Sequence, residues 1–551
     1  MAATKRMNTA EALVEGLIAN GIGTLYALPG VQNDPFFDAL FHAQDRLRVV
    51  HTRHEQATGY MALGAAMATG QPQAMCVVPG PGFLNAASAL ATAYSGNAPV
   101  LAILGQVPLH EIGRNTGALH EIVGQSEILR TVTKWSSLVR APGEVPALVA
   151  EAFRQMRSGR PRPAGLEVPM DIWQRTAAIA PQQAAEPIAP PPVDEDAVEE
   201  AAKLLGKAER PLILVGGGAH GAREAVRTIA EALTAPVMAF RMGRGVMDSR
   251  HPLDCTLPVG HRFWAEADVV LMVGTRAQNP LMTWGVDADL KIIRVDIDAE
   301  EMTRHGLPTV GLHGDAAPIL AALADRIGRH NRARPGRAEH VAQVKAEVMG
   351  RLADRLAPQL AYVRAIREAL PENGVFVDEL TQVSYVARIT LPVYRPRTFL
   401  ASGLQGTLGW GFATALGAKV ALGDSAPVLS VNGDGGFMFN VQELATAVHH
   451  RIPVVAVVFN DRAYGNVRAM QKHNFGNRLI ASELTNPDFV RLAESFGAQG
   501  LRARTPEELR AAIERGFATT DGPTLIEVPV GEMPSPWGFI KLPQVRPAKR
   551  N

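Results

Sequence analysis

Short runs of apolar residues alternate with longer, helix-like stretches along most of the chain. Glycine, proline or polar residues bound each run, as at residues 75–78, 100–104, 212–215, 269–273, 292–295, 428–431 and 454–459. Runs of this length and composition predict buried parallel strands joined by crossover helices. The pattern therefore predicts an α/β fold made of doubly wound parallel sheets.

Two stretches interrupt this alternation. Residues 181–193 are rich in proline, which favours an extended and semi-rigid connection. Residues 326–340 are basic and are broken by Pro335 and Gly336. A chain of 551 residues is long enough for about three domains. We therefore predict three α/β domains, at residues 1–180, 190–330 and 345–551.

The first and third of these domains contain a weak internal repeat. In the pattern of strand, glycine turn, helix and strand, Gly80 corresponds to Gly433 and Phe83 corresponds to Phe437, with one inserted residue. Convergence on a common βαβ unit is one explanation, and duplication of a domain is the other. Ligands of open α/β sheets bind beyond the carboxyl ends of the strands. Two related sheets that face each other would therefore form one cleft.

Composition excludes several classes of function. Hydrophobic residues form 47% of the chain, and 55 Lys and Arg nearly balance 54 Asp and Glu, so the net charge of +1 is too small to attract nucleic acid. No apolar run approaches the roughly 20 residues that cross a bilayer. The first residues predict an amphipathic helix capped by Thr9, without the apolar core of a signal peptide. With only two cysteines, we expect a cytoplasmic protein that binds neither nucleic acid nor membrane.

A glycine-rich turn follows the apolar run 428–431. It reads Asn-Gly-Asp-Gly-Gly at residues 432–436 and precedes a helix predicted from about Asn440. Glycines let a backbone approach a ligand closely, and free N–H groups at a helix start favour phosphate. Asp434, and Asn460 and Asp461 at the end of the next predicted strand, offer oxygen ligands suited to Mg²⁺. The two strand ends together predict a site for a metal ion and a diphosphate.

This pair of motifs resembles the signature of thiamine diphosphate enzymes, in which Gly-Asp-Gly is followed by Asn-Asn at the end of the next strand. The resemblance implies that Asp434, Asp461 and the carbonyl oxygen of Ala463 bind Mg²⁺. Asp461 replaces the second Asn of the family pair, so either Asn460 or Asp461 could hold the metal, and Asp461 is favoured. The residues implied to contact the cofactor around this turn are Gly433, Asp434, Gly435, Gly436, Tyr464 and Gly465.

A second motif lies in the first domain. Residues 49–57 read Val-Val-His-Thr-Arg-His-Glu-Gln-Ala, a predicted strand that leads into a helix rich in alanine and glycine. On physical grounds alone, Glu55 at the start of that helix interacts favourably with the helix dipole. The stretch also resembles the Arg-His-Glu-Gln-Ala motif of the acetolactate synthase group. That resemblance implies a catalytic Glu55 that shares a proton with N1′ of the cofactor's aminopyrimidine.

A dense run of glycines at residues 403–411 predicts a tight loop before a helix. The run is similar to the family segment that holds the cofactor in a bent shape. The similarity implies that the carbonyl oxygen of Gly406 accepts a hydrogen bond from the 4′-amino group and that Leu408 wedges between the two rings. Packing in the core is the alternative role for Leu408.

The substrate pocket is expected to draw on both outer domains. By the resemblance, its residues are Gln32, His120, Asn466, Val467 and Met470. His120 would face the cofactor and act in catalysis, and an ordinary histidine of a surface loop is the alternative interpretation. Asn466 and Met470 replace bulkier apolar or aromatic residues typical of acetolactate synthases. This replacement permits a larger or more polar 2-oxo acid.

The middle domain carries weaker signals. Residues 212–219 suggest a strand followed by a glycine turn, which is a weak indication of a dinucleotide site. Acetolactate synthases bind FAD in this domain with a Gly-Met-His-Gly stretch, among others, and residues 257–264 lack that stretch. We therefore expect a structural domain without FAD.

The resemblance covers nearly the whole chain in the family's order, and the chain is identified as a member of the acetolactate synthase/benzoylformate decarboxylase superfamily. It implies a homodimer or homotetramer with active sites at the subunit interface. The expected activity is decarboxylation of a 2-oxo acid, carboligation to a 2-hydroxy ketone, or both, with thiamine diphosphate and Mg²⁺. Two alternatives stay open: a lyase similar to 2-hydroxyacyl-CoA lyase or oxalyl-CoA decarboxylase, and a non-catalytic regulatory protein of this fold.

Overall fold

Parallel β-sheets covered by helices form the framework of residues 4–547, which are the residues that this computed structural model describes. The strands are β1 (Lys5–Asn8), β2 (Thr24–Ala27), β3 (Arg48–His51), β4 (Gln73–Val77), β5 (Val100–Gln106), β6 (Trp135–Leu138), β7 (Ala164–Pro169), β8 (Thr176–Ile179), β9 (Pro211–Val215), β10 (Val237–Ala239), β11 (Asp254–Cys255), β12 (Val269–Val273), β13 (Lys291–Asp296), β14 (Val310–His313), β15 (Val375–Asp378), β16 (Phe399–Ala401), β17 (Val428–Gly433), β18 (Val455–Asn460), β19 (Gln499–Arg502) and β20 (Thr524–Pro529). The helices are α1 (Thr9–Ala19), α2 (Asp34–Phe41), α3 (Glu55–Thr69), α4 (Pro81–Gly96), α5 (Gln125–Val132), α6 (Val145–Arg157), α7 (Glu195–Lys207), α8 (Arg223–Leu233), α9 (Leu257–Glu266), α10 (Ala299–Thr303), α11 (Ala316–His330), α12 (Ala338–Ala369), α13 (Gln382–Thr390), α14 (Trp410–Leu422), α15 (Asp434–Phe437), α16 (Glu443–His449), α17 (Gly465–Asn474), α18 (Phe489–Ser495), α19 (Pro506–Phe517) and α20 (Trp537–Ile540). β1 and β8 form an antiparallel pair, and the other strands form three six-stranded parallel sheets.

The strand order is the same in the first and third sheets. It is β3-β2-β4-β5-β7-β6 in the first sheet and β16-β15-β17-β18-β20-β19 in the third. This correspondence extends the predicted repeat from one βαβ unit to whole sheets, and so favours duplication over convergence. The middle sheet has a different order, β11-β10-β9-β12-β13-β14. The predicted fold class, three doubly wound parallel-sheet domains, is confirmed.

Each outer sheet has a place, its reversal point, where two neighbouring strands lead onward in opposite directions across the sheet. In the first sheet this place lies between β2 and β4, and in the third sheet it lies between β15 and β17. The loops that leave the two strands there diverge to opposite faces of the sheet, which opens a crevice at the strands' carboxyl ends. These two crevices are where the fold itself favours a ligand.

Helices α3 and α14 join the first and third sheets in one continuous core. Their backbones are so close that a Cβ atom on Gly64 would lie 2.0 Å from the carbonyl oxygen of Thr414, and one on Gly417 would lie 1.9 Å from that of Met61. The Tyr26 hydroxyl donates across the same contact to the carbonyl oxygen of Gly417, at 3.3 Å. Small residues therefore allow this contact, which forms within one chain.

Most boundaries follow the predicted pattern, and three do not. The helix predicted from about Asn440 is divided into α15, which begins at Asp434 itself, and α16. Asn8, not Thr9, caps α1, because its side chain accepts from the Glu11 N–H while the Glu11 carboxylate accepts from the Asn8 N–H, both at 2.8 Å. The connection predicted at 326–340 is shorter, because α11 continues to residue 330 and α12 begins at residue 338.

Two further features bear on the predictions from composition. Among residues 4–547, no helix is long and apolar enough to cross a membrane. Cys76 and Cys255 are both buried free thiols.

Candidate active site

A cavity of about 260 Å³ opens at the reversal point of the third sheet, beyond the ends of β15, β17 and β18. The predicted site residues in its lining are Gly406, Leu408, Gly433, Asp434, Gly435, Gly436, Asp461, Ala463, Tyr464, Gly465, Asn466 and Val467. The structure thus brings together predicted residues from three separate segments of the third domain. Glu55, Gln32, His120 and Met470 do not line this cavity.

The glycines of the turn after β17 have different roles. A Cβ atom on Gly435 would lie 2.6 Å from the Tyr464 ring, and one on Gly436 would lie 2.1 Å from the Glu379 carboxyl group, so both are required by packing. A Cβ atom on Gly433 would find its nearest neighbour at 3.7 Å, on Thr381. The protein leaves that space open on the cavity side, where a side chain would occupy the room of a ligand.

The amino end of α13 forms the opposite wall of the cavity. The Thr381 hydroxyl caps this helix by accepting from the N–H groups of Val383 and Ser384. The Gln382 side-chain oxygen is buried and has no partner among the described residues. The N–H groups at a helix start suit an anionic ligand, whereas the Gln382 oxygen is an acceptor and suits a hydrogen-bond donor. This segment was not predicted from the sequence, although the apolar run 375–377 followed by a Thr-Gln pair could have indicated it.

Two carboxyl groups face each other beside the glycine turn. Burial, and then repulsion from Asp434, raises the pKa of Asp461 to about 6. Burial also raises the pKa of Asp434, which is 1% exposed, although the Asn486 amide donates to it at 2.6 Å. Arg468 is the nearest cation to Asp461, at 3.5 Å from its Oδ2 atom. Two carboxylates this close favour a divalent cation between them.

Asn460 is engaged elsewhere. Its side-chain oxygen accepts from the Asn486 amide at 2.9 Å, and its Nδ2 atom donates to the Glu527 carboxylate at 2.8 Å. Asn460 is also absent from the cavity lining, whereas Asp461 is part of it. Asn486, which bridges Asn460 and Asp434, was not found from the sequence, because a single asparagine in a loop gives no signal.

Buried Glu379 holds the glycine-rich loop that precedes α14. Its carboxyl group accepts from the Gly409 N–H at 2.7 Å and from the Gly411 N–H at 3.2 Å. Burial raises the pKa of Glu379 to about 8. Gly406 has a φ of +56°, which favours glycine. Leu408 is half-buried against the cavity rather than fully within the core.

Glu55 begins α3, as predicted, and is half-buried. His54 caps the helix by accepting from the Gln56 N–H at 3.1 Å. The Asn85 amide, on α4, donates to Glu55 Oε2 at 3.0 Å and so fixes the direction of the carboxyl group. Asn85 was also missed from the sequence. It lies four residues after Pro81, in a helix whose sequence otherwise indicated only a structural role.

Gln32 and His120 meet at the reversal point of the first sheet. The Gln32 amide N–H donates to the Leu119 carbonyl oxygen at 2.9 Å, so its own oxygen is left to accept from His120 Nδ1 at 3.1 Å. His120 Nδ1 therefore carries the proton and Nε2 offers a lone pair. A Cβ atom on Gly80 would lie 2.3 Å from the His120 carbonyl oxygen, so only glycine at position 80 lets the loop that carries His120 pack this closely. His120 is thus a half-buried, oriented histidine and not a free surface side chain.

Three family models match the chain in the order of its sheets. They are the N-terminal TPP binding domain of thiamine pyrophosphate enzymes over residues 7–128, the central domain over residues 198–323, and the C-terminal TPP binding domain over residues 380–528. Thiamine pyrophosphate is thiamine diphosphate under another name. The chain therefore belongs to the thiamine pyrophosphate enzyme family and is a thiamine diphosphate-dependent enzyme.

Individual relatives are similar over nearly their full length. The chain is 33% identical over 539 residues to a probable 2-ketoarginine decarboxylase of Pseudomonas aeruginosa, covering 95% of this chain and 94% of the relative. It is 32% identical over 549 residues to a probable acetolactate synthase large subunit of Methanocaldococcus jannaschii, with 95% and 92% covered. It is 31% identical over 536 residues to the acetolactate synthase isozyme 1 large subunit of Escherichia coli, with 95% and 94% covered.

Proposed function

We propose that this enzyme uses Mg²⁺ together with thiamine diphosphate to decarboxylate a 2-oxo acid. The observation that carries the proposal is the cavity at the ends of β15, β17 and β18. There, two facing carboxyl groups lie beside an open glycine turn and a helix start. The chemistry of these groups fits a metal ion bridged to a diphosphate.

Asp434, Asp461 and the carbonyl oxygen of Ala463 would hold Mg²⁺. Asp461 is favoured over Asn460 because only Asp461 lines the cavity, and because both ends of the Asn460 amide are already hydrogen-bonded. The additional negative charge of Asp461 is balanced in part by Arg468. The turn at 433–436 and the start of α13 would hold the diphosphate.

The remaining groups would orient the cofactor and handle protons. Thiamine diphosphate, when bound, supplies a carbon that adds to the 2-oxo group and a cationic ring that takes up the electron pair as CO₂ leaves. Glu55 would share its proton with the aminopyrimidine, and Asn85 would keep that carboxyl group directed. Gly406 and Leu408 would fix the angle between the rings. His120, with its lone pair on Nε2, would accept or return a proton near the substrate.

The substrate pocket would extend from the cavity along α17. Asn466 Oδ1 accepts from the Trp537 indole N–H at 2.7 Å, and the Trp537 and Tyr385 rings lie 4.9 Å apart. Amide and aromatic groups of this kind suit a side chain larger or more polar than a methyl group. Val467 and Met470 are partly exposed on the same helix. Carboligation to a 2-hydroxy ketone is the second outcome, and the acetolactate synthases among the relatives support it.

The active site would be completed by a second copy of the chain. Glu55, Gln32 and His120 lie outside the cavity that holds the metal and diphosphate residues. Large apolar side chains are exposed beside both half-sites, at Leu119 and Val123 in the first domain and at Leu404 and Phe439 in the third. A homodimer or homotetramer would cover these side chains and bring the two half-sites together.

Calorimetry tests the metal site. Wild-type protein should bind thiamine diphosphate with Mg²⁺ and lose that binding in the presence of EDTA. Asp461→Ala should weaken binding at least about tenfold, whereas Asp461→Asn, which keeps an oxygen ligand, should retain most of it. Thiamine diphosphate binding that is unchanged both by EDTA and by Asp461→Ala would overturn the proposed metal site.

Gly433→Ala tests the cradle for the diphosphate. The new methyl group has room against the protein but occupies ligand space, so folding should be unchanged and cofactor affinity should fall. Gly522→Ala serves as the control, because a Cβ atom on Gly522 would meet nothing within 4 Å. Gly423→Ala is unsuitable, because Gly423 has a φ of +53° and alanine there would be strained. Equal cofactor affinity in the two variants would contradict the cradle.

Mixing two inactive variants tests the shared site. Glu55→Gln and Asp434→Ala should each be inactive alone, and co-refolded heterodimers should regain one intact site of two. Heterodimers that form but stay inactive, or full activity in a proven monomer, would refute the shared site.

A further inference from the structure

Three histidines meet where the first domain contacts the third, away from the cofactor cavity. His51 ends β3, His449 ends α16, and His450 caps that helix. The His51 ring lies 4.7 Å from each of the other two rings, and the His449 and His450 rings are also 4.7 Å apart. One ligand atom from each histidine lies within 4.8 Å of the others.

The surroundings of His51 and His450 disfavour the charged form of these two rings. Burial lowers the pKa of His51, and burial together with the neighbouring imidazoles lowers the pKa of His450 to about 4. The charged groups that face them are the exposed guanidinium groups of Arg48 and Arg53. None of the three histidines forms an ion pair or hydrogen bond with a carboxylate within residues 4–547. His450 Nε2 accepts from the His51 N–H, so metal binding at that atom would replace this hydrogen bond with a metal–nitrogen bond.

We propose that His51, His449 and His450 form a binding site for a divalent transition-metal ion of the zinc type, with water as the fourth ligand. Imidazole nitrogen is a preferred ligand of such ions, and three histidines with one open position are a known donor set. Nitrogens bound to one tetrahedral zinc ion lie about 3.3 Å apart, given bonds of about 2.0–2.1 Å. Side-chain rotation of His449, which is exposed, can close the remaining distance.

The bound ion would join two domains. His51 belongs to the first sheet, whereas His449 and His450 belong to the third domain. Among these three described residues, the polar contacts are those of His450 Nε2 with the His51 backbone, whose N–H donates to it at 3.1 Å. His51 also lies four residues before Glu55. A metal clamp at this contact would therefore stabilise the segment from which the proposed catalytic carboxyl group projects. The site itself does not depend on the proposed activity.

The test uses tag-free full-length protein loaded with thiamine diphosphate and excess Mg²⁺, so that the cofactor site is filled. Titration with Zn²⁺ should show one additional ion per chain and a higher melting temperature. Titration with Co²⁺ should give the intense visible bands of tetrahedral coordination. His449→Ala should lower the affinity for both ions at least about tenfold and abolish the melting shift. His42→Ala, which removes an exposed histidine outside the cluster, should behave as wild type.

A second variant separates loss of the ligand from loss of the fold. His449→Cys keeps a ligand for zinc and should retain Zn²⁺ binding while shifting the Co²⁺ spectrum by adding a thiolate. Circular dichroism and Mg²⁺-dependent cofactor binding should be unchanged in every variant. No additional Zn²⁺ in the wild type, or equal Zn²⁺ affinity in the wild type and His449→Ala, would overturn the proposed site.

Discussion

Glu379 is a carboxyl group buried beside the cofactor cavity, and its pKa of about 8 makes stability depend on pH. Between an unfolded value near 4.5 and the folded value near 8, only the folded chain holds this proton. The free energy of unfolding should therefore fall as pH rises through this window. The slope from this one group is about 1.4 kcal/mol per pH unit.

Glu379→Gln should remove that slope. The amide carries no charge to bury and keeps one acceptor oxygen, for the Gly409 N–H, while its NH2 group replaces the oxygen that accepts from the Gly411 N–H. Relative to wild type, the free energy of unfolding of the variant should rise between about pH 5 and about pH 8, measured by urea unfolding at a series of pH values. Wild-type and variant curves that stay parallel over this range would contradict the buried, protonated carboxyl group.

At the residue scale, sequence predicts groups that belong to contiguous motifs. Asp434, Asp461 and Glu55 were found because glycines or helix starts surround them within a few positions. Asn486, Asn85 and Glu379 were missed because their partners lie at a distance in the sequence, as the 52 positions between Asn486 and Asp434 illustrate. Only folding brings such pairs together, so a single sequence carries no local signal for them.

Between elements, the closest contact is that of α3 with α14, and glycine allows it. Gly64→Ala would place a methyl carbon 2.0 Å from the Thr414 carbonyl oxygen, so the helices must separate. We expect a loss of about 1–3 kcal/mol in the free energy of unfolding, measured by urea denaturation.

Gly350→Ala is the matched control for Gly64→Ala. Gly350 also lies inside a helix, α12, and its Cβ atom would meet nothing within 4 Å. Alanine has the higher helix propensity, so this control should gain about 0.5–1 kcal/mol. Opposite signs for the two substitutions support the close contact, and a stabilising Gly64→Ala would refute it.

The glycines of the middle sheet are used in contacts between its own loops. A Cβ atom on Gly216 would lie 2.3 Å from the Gly274 carbonyl oxygen, and one on Gly243 would lie 2.4 Å from that of Val215. The loops after β9, β10 and β12 therefore need glycine to pack against each other, and no bound nucleotide is required to explain these glycines. With the missing flavin stretch, this packing supports the prediction that the purified enzyme carries no FAD. Stoichiometric flavin absorbance released on denaturation would contradict that prediction.

At the scale of the whole molecule, the pattern of short apolar runs was sufficient to predict the class of fold and seven of the strands. Buried parallel strands have this pattern because both of their faces are covered. The order of strands within each sheet could not be obtained this way, since it depends on contacts between segments far apart. Sequence shows which helices can approach closely, but it does not show whether they meet within one chain or between two.

The most direct test of the proposed function is CO₂ release from a panel of 2-oxo acids. Pyruvate, 2-ketoarginine and an aromatic 2-oxo acid should be compared with and without thiamine diphosphate and Mg²⁺. We predict release from at least one acid, dependent on both. Glu55→Gln should lower the rate by about 100-fold or more with cofactor affinity preserved, while exposed Glu127→Gln should not. No release from any acid, or an unchanged rate in Glu55→Gln, would contradict the account.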